Sequence, residues 1–137
     1  MIILDTNVVA EPIKPTPSPA VMAWTASHAA DLMVTSITIG ELLVGVALLP
    51  DGARKRHLMD AVETAILGLP SALPYDSQAA RAYADIRGIA RRIGRGLSVE
   101  DGMIAAICVA QGATLATRNV VDFNFLPIDL VNPWEIT

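Results

Sequence analysis

The chain alternates short, continuous apolar runs with longer stretches in which apolar residues recur at helical spacing. Continuous runs of this length are typical of strands that are buried on both faces of a sheet. They predict five strands: Met1–Leu4, Leu32–Thr35, Ala72–Tyr75, Thr114–Thr117 and Ile128–Leu130. Because Pro74 cannot donate a ladder hydrogen bond, the third strand is expected at an edge of the sheet.

The longer stretches predict five helices: about Ser18–Ala30, Thr38–Leu49, Ala53–Leu67, Asp76–Ile93 and Ser98–Ala110. Asp5-Thr6-Asn7 is expected to form a turn, and the prolines from Pro12 to Pro19 a stiff connector. Strands that alternate with helices predict a single α/β domain over residues 1–137. Its mostly parallel sheet of about five strands would carry helices on both faces.

Composition places the chain among cytoplasmic globular proteins. The residues AVILMFWYC make up 53% of the chain, which excludes disorder. No charge-free stretch offers the roughly 20 apolar residues that a membrane span needs, so no membrane contact is expected. The N-terminus lacks the basic region of a signal peptide, and the single cysteine, Cys108, is expected to be a buried thiol in a helix.

Charge and motif content exclude several classes of function. Ten Lys and Arg residues against fourteen Asp and Glu residues give a net charge of −4, and aromatic residues make up only 4%. A nucleic-acid binder that relies on overall charge or on stacked aromatics is therefore excluded. The sequence contains no phosphate-binding loop and no dinucleotide fingerprint, and His28 and His57 have no companions for a nucleophilic triad.

Four acidic residues stand at the ends of predicted elements. Asp5 ends the first strand, Asp122 follows the fourth, and Glu41 and Asp101 fall in the predicted first turns of two helices. In a parallel sheet, the carboxyl ends of strands and the N-termini of helices share one edge, so the four carboxylates are expected to converge. Grouped carboxylates without histidine or thiolate favour Mg²⁺ or Mn²⁺, because a cation must offset their repulsion.

Each acid also has a purely structural interpretation. Asp5 could cap a helix, and the other three fit a capping pattern: Thr38-x-x-Glu41, Ser98-x-x-Asp101 and Asn119-x-x-Asp122. Three polar residues beside the acids could support them or could be ordinary turn residues: Thr6, Asn7 and Thr117. Three arginines at helical spacing, predicted to guide RNA phosphates, could instead be a solvated face: Arg87, Arg91 and Arg95.

The motifs resemble those of PIN-domain proteins, in particular the VapC toxins of bacterial toxin–antitoxin pairs and their FitB-like relatives. The segments that carry the resemblance are Ile3-Leu4-Asp5-Thr6-Asn7, Thr38-Ile39-Gly40-Glu41-Leu42, Glu100-Asp101-Gly102-Met103-Ile104-Ala105-Ala106 and Thr117-Arg118-Asn119-Val120-Val121-Asp122-Phe123. The resemblance runs from Met1 to about Pro133. Two departures are Glu100, an extra acid, and Gly102, a weak helix former.

This resemblance implies a three-layer α/β/α domain with Mg²⁺- or Mn²⁺-dependent endoribonuclease activity. It assigns Asp5, Glu41, Asp101 and Asp122 as the catalytic and metal-binding quartet. It also implies a homodimer that is inhibited by a cognate antitoxin and that contacts DNA only through that antitoxin.

Two other interpretations remain open at this point. A PIN-fold binding subunit could act mainly in transcriptional control through a DNA-binding antitoxin, with little or no catalysis. A receiver-like or phosphatase domain also gathers acids at strand ends. A haloacid-dehalogenase-type phosphatase, however, would want an aspartate where Asn7 stands.

Overall fold

A computed structural model describes residues 1–136, and within them five strands alternate with seven helices. The strands are β1 (Ile2–Leu4), β2 (Leu32–Thr35), β3 (Ala72–Leu73), β4 (Thr114–Ala116) and β5 (Leu130–Val131). The helices are α1 (Thr6–Ala10), α2 (Pro19–Ser27), α3 (Ser36–Ala47), α4 (Ala53–Leu67), α5 (Ser77–Ile93), α6 (Val99–Gln111) and α7 (Val120–Phe123). Single 3-10 turns occupy Glu11–Ile13 and Ala29–Asp31.

The five strands form one sheet in the order β3-β2-β1-β4-β5, and every neighbouring pair is parallel. Ile3 of the central strand β1 pairs with Met33 on one side and Leu115 on the other. The predicted parallel sheet is confirmed, and β3 lies at the edge that Pro74 requires.

Helices cover both faces of this sheet, because successive strand residues point to opposite sides. Ile3 belongs to a core that includes Ile86 of α5 and Ile104 of α6. The next residue, Leu4, belongs to a second core that includes Leu42 of α3 and Val62 of α4. The three-layer α/β/α arrangement is thereby confirmed.

Two short helices were not predicted. Asp5-Thr6-Asn7 was expected to be a turn, but Asp5 is instead the N-cap of α1, and its side chain accepts a hydrogen bond from the Thr6 N–H. Asn119 likewise precedes α7, which has only four residues. Helices of one turn contain too few residues to show an apolar period, so sequence patterns do not distinguish them from turns.

The start of α3 was also predicted wrongly. The hydroxyl of Thr35, not of Thr38, caps this helix by accepting the Thr38 N–H at 3.2 Å. Thr38 is fully buried inside the first turn. Glu41 therefore lies in the second turn, and the capping-box interpretation of Thr38-x-x-Glu41 is wrong.

Other boundaries shift slightly. The helix expected over Ser18–Ala30 ends at Ser27, and β5 begins at Leu130 rather than Ile128. Helix α5 ends at Ile93 as predicted, and α6 ends at Gln111, one residue after the predicted end. Gly94 and Gly112 follow these helices in left-handed conformations, with φ of 70° and 61°. Within residues 1–136, every helix is too short or too polar to cross a membrane.

Gly102 permits close contact between α5 and α6. A Cβ atom on Gly102 would lie 2.8 Å from Cε2 of Tyr83, closer than real contacts allow. The Tyr83 ring is held by an edge contact with Tyr75 and by the Arg87 guanidinium 5.6 Å from its centre. The glycine thus allows the first turn of α6, which carries Asp101, to lie against α5.

We expect Gly102→Ala to destabilise the protein by about 1 kcal/mol, because displacement of the Tyr83 ring outweighs the gain in helix propensity. Gly45→Ala is the matched control, since a Cβ atom there meets nothing within 4 Å. That control should gain about 0.5–1 kcal/mol. Urea unfolding of both variants measures the difference, and equal stabilisation by both would contradict the packing role of Gly102.

Candidate active site

Asp5 lies at the carboxyl edge of the sheet and is only 4% exposed. Its N–H donates to the carbonyl of Ala116 at 2.9 Å, so β4 holds the end of β1. The helices return antiparallel to the strands, so α6 begins at this same edge, and α7 follows β4 there. The topology therefore brings the elements that carry Asp101 and Asp122 towards Asp5.

Hydrogen bonds fix both carboxylate oxygens of Asp5. Oδ1 accepts the Thr6 N–H at 2.8 Å, and Oδ2 accepts the buried Thr117 hydroxyl at 2.7 Å. The Asn7 amide nitrogen lies 3.3 Å from Oδ2, while its oxygen accepts the Arg118 N–H at 3.3 Å. Thr6, Asn7 and Thr117 thus all contact Asp5, and for Thr117 this acid is distant in the sequence.

Burial raises the pKa of Asp5 despite these bonds. Loss of hydration is the main cause, and the negative charge of Asp122 adds to it. The hydrogen bonds from Thr117, Thr6 and Asn7 act in the opposite direction. The hydrogen bonds therefore replace only part of the hydration that the Asp5 carboxylate loses on burial.

Glu41 reaches the same site from α3. Its Oε1 accepts a hydrogen bond from the Thr6 hydroxyl at 2.7 Å, which joins α3 to the residue after Asp5. Beyond Glu41, an open groove of about 460 Å³ runs between α3 and α6. Glu100 lines this groove together with Glu41 and Met103, so the extra acid borders the site.

Asp101, in the first turn of α6, is the acid whose pKa the other three acids raise. Ser98 caps α6 by accepting the Asp101 N–H at 3.1 Å, as the sequence predicted. Burial and the charges of Asp5, Glu41 and Asp122 together raise the pKa of Asp101 from 3.8 to about 6. Acids from four separate elements therefore share one electrostatic environment.

The chemistry of these donors fits a hard divalent cation. The four acidic side chains offer only oxygen, which Mg²⁺ and Mn²⁺ prefer, and their mutual repulsion is what a cation would offset. Across the described residues, however, no three Asp, Glu, His or Cys side chains lie close enough together to hold an ion by themselves. Water and substrate oxygens would have to complete the coordination shell, as is usual for Mg²⁺.

The three arginines do not form one continuous stripe, because α5 ends at Ile93 and Arg95 lies beyond it. Arg87 is half-buried and donates to the carbonyl of Leu97 at 2.6 Å. Arg95 donates to the carbonyl of Val121 at 2.6 Å. Arg91 is exposed on α5. RNA guidance by these residues stays a prediction, with two of the three side chains bonded to backbone carbonyls.

Sequence reasoning missed Glu11, an acid that is 3% exposed. Its carboxylate accepts the Ser18 N–H at 2.8 Å and lies 2.8 Å from Lys14 Nζ. The bond to Lys14 is the main cause that lowers the pKa of Glu11. Glu11 therefore fastens the proline connector to the end of α1. The Glu11–Lys14 spacing was the only sequence signal, and such pairs are common on surfaces.

Cys108 behaves as expected of a core thiol. It is fully buried in α6, and burial raises its pKa to about 12. A thiol of this kind is neither a nucleophile nor a metal ligand at neutral pH.

Thr117→Val should destabilise the protein by about 1–3 kcal/mol, because it leaves buried polar groups without partners. The hydroxyl donates to Asp5 and accepts the Asn119 N–H at 3.1 Å, and valine does neither. Thr117→Ser keeps the hydroxyl and should recover most of the loss. Chemical unfolding in EDTA compares the two, and an equally large loss in the serine variant would assign the effect to packing instead.

Comparison with known proteins identifies the family to which this protein belongs. The PIN-domain family model matches residues 2–124, so the chain belongs to the PIN-domain family. The motifs that indicated this resemblance lie around the acidic edge of the sheet.

Within that family, the chain is similar to toxins. It is 40% identical to the toxin FitB of Neisseria gonorrhoeae over 98% of this chain and 99% of that protein. It is 38% identical to the VapC ribonuclease Y4jK of Sinorhizobium fredii, over the same shares of both chains. A structure of FitAB bound to an IR36 DNA fragment superposes with a TM-score of 0.88, at 38% identity over 100% of this chain and 98% of that one.

Proposed function

We propose that this protein is the toxin of a type II toxin–antitoxin pair and that it hydrolyses RNA phosphodiester bonds with Mg²⁺ or Mn²⁺. The observation that carries the proposal is the geometry at the carboxyl edge of the sheet: the Thr6 hydroxyl donates to Glu41 at 2.7 Å, and hydrogen bonds fix both oxygens of the adjacent, buried Asp5. Burial, and then the charges of Asp5, Glu41 and Asp122, also raise the pKa of Asp101. Acids that only capped helices would not need to share one electrostatic environment. Similarity over nearly the whole chain to a VapC ribonuclease supports the choice of RNA as substrate.

In this proposal, Asp5, Glu41, Asp101 and Asp122 hold the ion or ions. When bound there, Mg²⁺ or Mn²⁺ would supply Lewis acidity towards the attacking water and the phosphate oxygens. The chain prepares the ligands in advance: Thr117 and Thr6 orient Asp5, and the Thr6 hydroxyl orients Glu41. Such pre-oriented ligands avoid a cost of ordering when metal and RNA bind.

We further propose a cytoplasmic homodimer that a cognate antitoxin inhibits, with DNA contacted only through the antitoxin. Exposed apolar side chains on and just after α3 support a protein partner, since Val44 of α3 is 54% exposed and Leu48, its C-cap, is 81% exposed. The similarity to FitAB bound to DNA supports an antitoxin complex.

The test is cleavage of a cellular RNA pool by the purified, antitoxin-free protein. We expect discrete fragments with Mg²⁺ or Mn²⁺, none in EDTA, and recovery when the metal is added back in excess. Asp5→Asn protein, purified in the same way, controls for a contaminating nuclease. Asp85→Asn is the matched control for charge, because Asp85 is an exposed acid on α5.

The alternative is a binding subunit in which the antitoxin complex controls transcription and catalysis is absent. It is favoured by the DNA-bound form of the similar FitAB complex. If the purified protein binds neither Mg²⁺ nor Mn²⁺ and cleaves no RNA, our proposal is wrong and this alternative replaces it.

A further inference from the structure

We propose that Arg95 is a positioning residue that holds Asp122 in place relative to Asp101, and not primarily a contact for RNA. The inference rests on the proposed function, because it concerns two of the acids assigned to the metal. It starts from the location of Arg95 in the segment between α5 and α6, three residues before the Ser98 cap.

The Arg95 side chain crosses from this segment to α7. Its Nη2 donates to the carbonyl of Val121 at 2.6 Å, and Val121 immediately precedes Asp122. Its guanidinium also lies 4.7 Å from the centre of the Phe125 ring, just beyond the end of α7. One side chain therefore contacts α7 and the residues that follow it, at two points.

Arg95 links α7 to the segment that precedes α6, in addition to the packing of α7 on the core. The helix has four residues, and its N-cap Asn119 makes no side-chain capping bond. The buried ring of Phe123 anchors it to the core, but Val121 and Asp122 are exposed. Leu126, just after α7, is also buried, and the Asn119 N–H donates to the Thr117 hydroxyl, so the core and β4 hold α7 on one side. The exposed part of α7 that carries Val121 and Asp122 is attached through Arg95.

Hydrogen bonds also fix the backbone of the segment between α5 and α6, to which Arg95 belongs. Gly94 adopts the left-handed conformation, and the Arg95 N–H bonds the carbonyl of Ala90 at 2.9 Å. Arg87 holds the Leu97 carbonyl directly before the α6 cap. Arg95 thus connects α7 to a segment that also sets the start of α6, where Asp101 lies.

A positioning role and an RNA-guiding role predict different results in the absence of RNA. We expect Arg95→Ala to weaken Mn²⁺ binding by RNA-free protein about 10-fold, the lower end of the effect of supporting residues at metal sites. Amide hydrogen exchange over residues 119–123 should become faster. Arg95→Lys keeps a positively charged donor but loses the planar guanidinium over the Phe125 ring, so its Mn²⁺ affinity should fall between those of the parent and Arg95→Ala. Arg81→Gln, which changes an exposed arginine on α5, is the matched control and should change neither quantity.

The alternatives separate cleanly. If Arg95→Ala leaves Mn²⁺ affinity and exchange unchanged but raises KM for RNA, Arg95 is a phosphate contact and the inference is overturned. If the parent protein binds no Mn²⁺, the proposed function fails. Hydrogen exchange over residues 119–123 still decides the link in that case: faster exchange in Arg95→Ala supports it, and unchanged exchange refutes it.

Discussion

Asp5→Asn should reduce RNA cleavage by at least about 100-fold while leaving the fold intact. A metal at a phosphoryl-transfer site contributes several kcal/mol to the transition state, and each 1.4 kcal/mol is a factor of ten in rate. Asp5 is the most buried of the four acids, and both of its oxygens are oriented by hydrogen bonds. Asparagine keeps the shape and removes the charge that the metal requires. Single-turnover cleavage at saturating Mn²⁺ measures the loss.

Stability should change little in the same variant, by less than about 1 kcal/mol. The raised pKa of Asp5 means that its buried charge disfavours folding at neutral pH, so removing the charge is favourable. The new NH₂ group would, however, face a donor in either orientation: the Thr6 N–H at the position of Oδ1, or the Thr117 hydroxyl and the Asn7 amide at the position of Oδ2. At least one hydrogen bond is therefore lost, which opposes the gain. A large fall in the melting temperature would mean that Asp5 acts mainly as a structural cap.

The fold was predictable because its strands are short, apolar and separated by long helices. Ile3 and Leu4 point into two different cores, so a strand at this position must be apolar on both faces. Elements of one turn were not predictable from periodicity, and α1 and α7 were missed for that reason. The start of α3 was ambiguous because Thr35 and Thr38 are both good caps and both are buried, and only the hydrogen bond from the Thr38 N–H to the Thr35 hydroxyl identifies the cap.

The grouping of the four acids at one edge of the sheet was predictable from the elements that carry them, although Glu41 lies in the second turn of α3 and not in the first. The contacts of the basic residues were not predictable. Arg87 and Arg95 have the spacing of a basic face, yet their bonds to Leu97 and Val121 depend on how loops fold back. Glu11 was missed for the same reason. Nothing in the sequence distinguishes a glutamate that is buried against the start of the next helix from a glutamate that is exposed to solvent.

The pH dependence of stability provides the last prediction: without metal, the protein should become less stable as pH rises from about 4 to above 6. Asp101 has its pKa raised from 3.8 to about 6, first by burial and then by Asp5, Glu41 and Asp122. Between these values the folded state binds more protons than the unfolded state, so the free energy of unfolding falls as pH increases. The full shift corresponds to about 3 kcal/mol, and solvent screening at this half-buried site reduces it to about 1–2 kcal/mol.

Asp101→Asn should therefore be more stable than the parent by about 1–2 kcal/mol at pH 7.5 in EDTA, with the gain vanishing near pH 4. Urea unfolding across this range measures the difference, in which contributions from groups common to both proteins cancel. Added Mg²⁺ should stabilise the parent by mass action and so narrow the gap, because the cation offsets the repulsion that the substitution removes. Asp85→Asn, which removes an exposed acid, should follow the parent at every pH. If Asp101→Asn raises the free energy of unfolding equally at every pH, the pKa of Asp101 is not raised by burial and by the other three acids. The metal proposal would then lose this support.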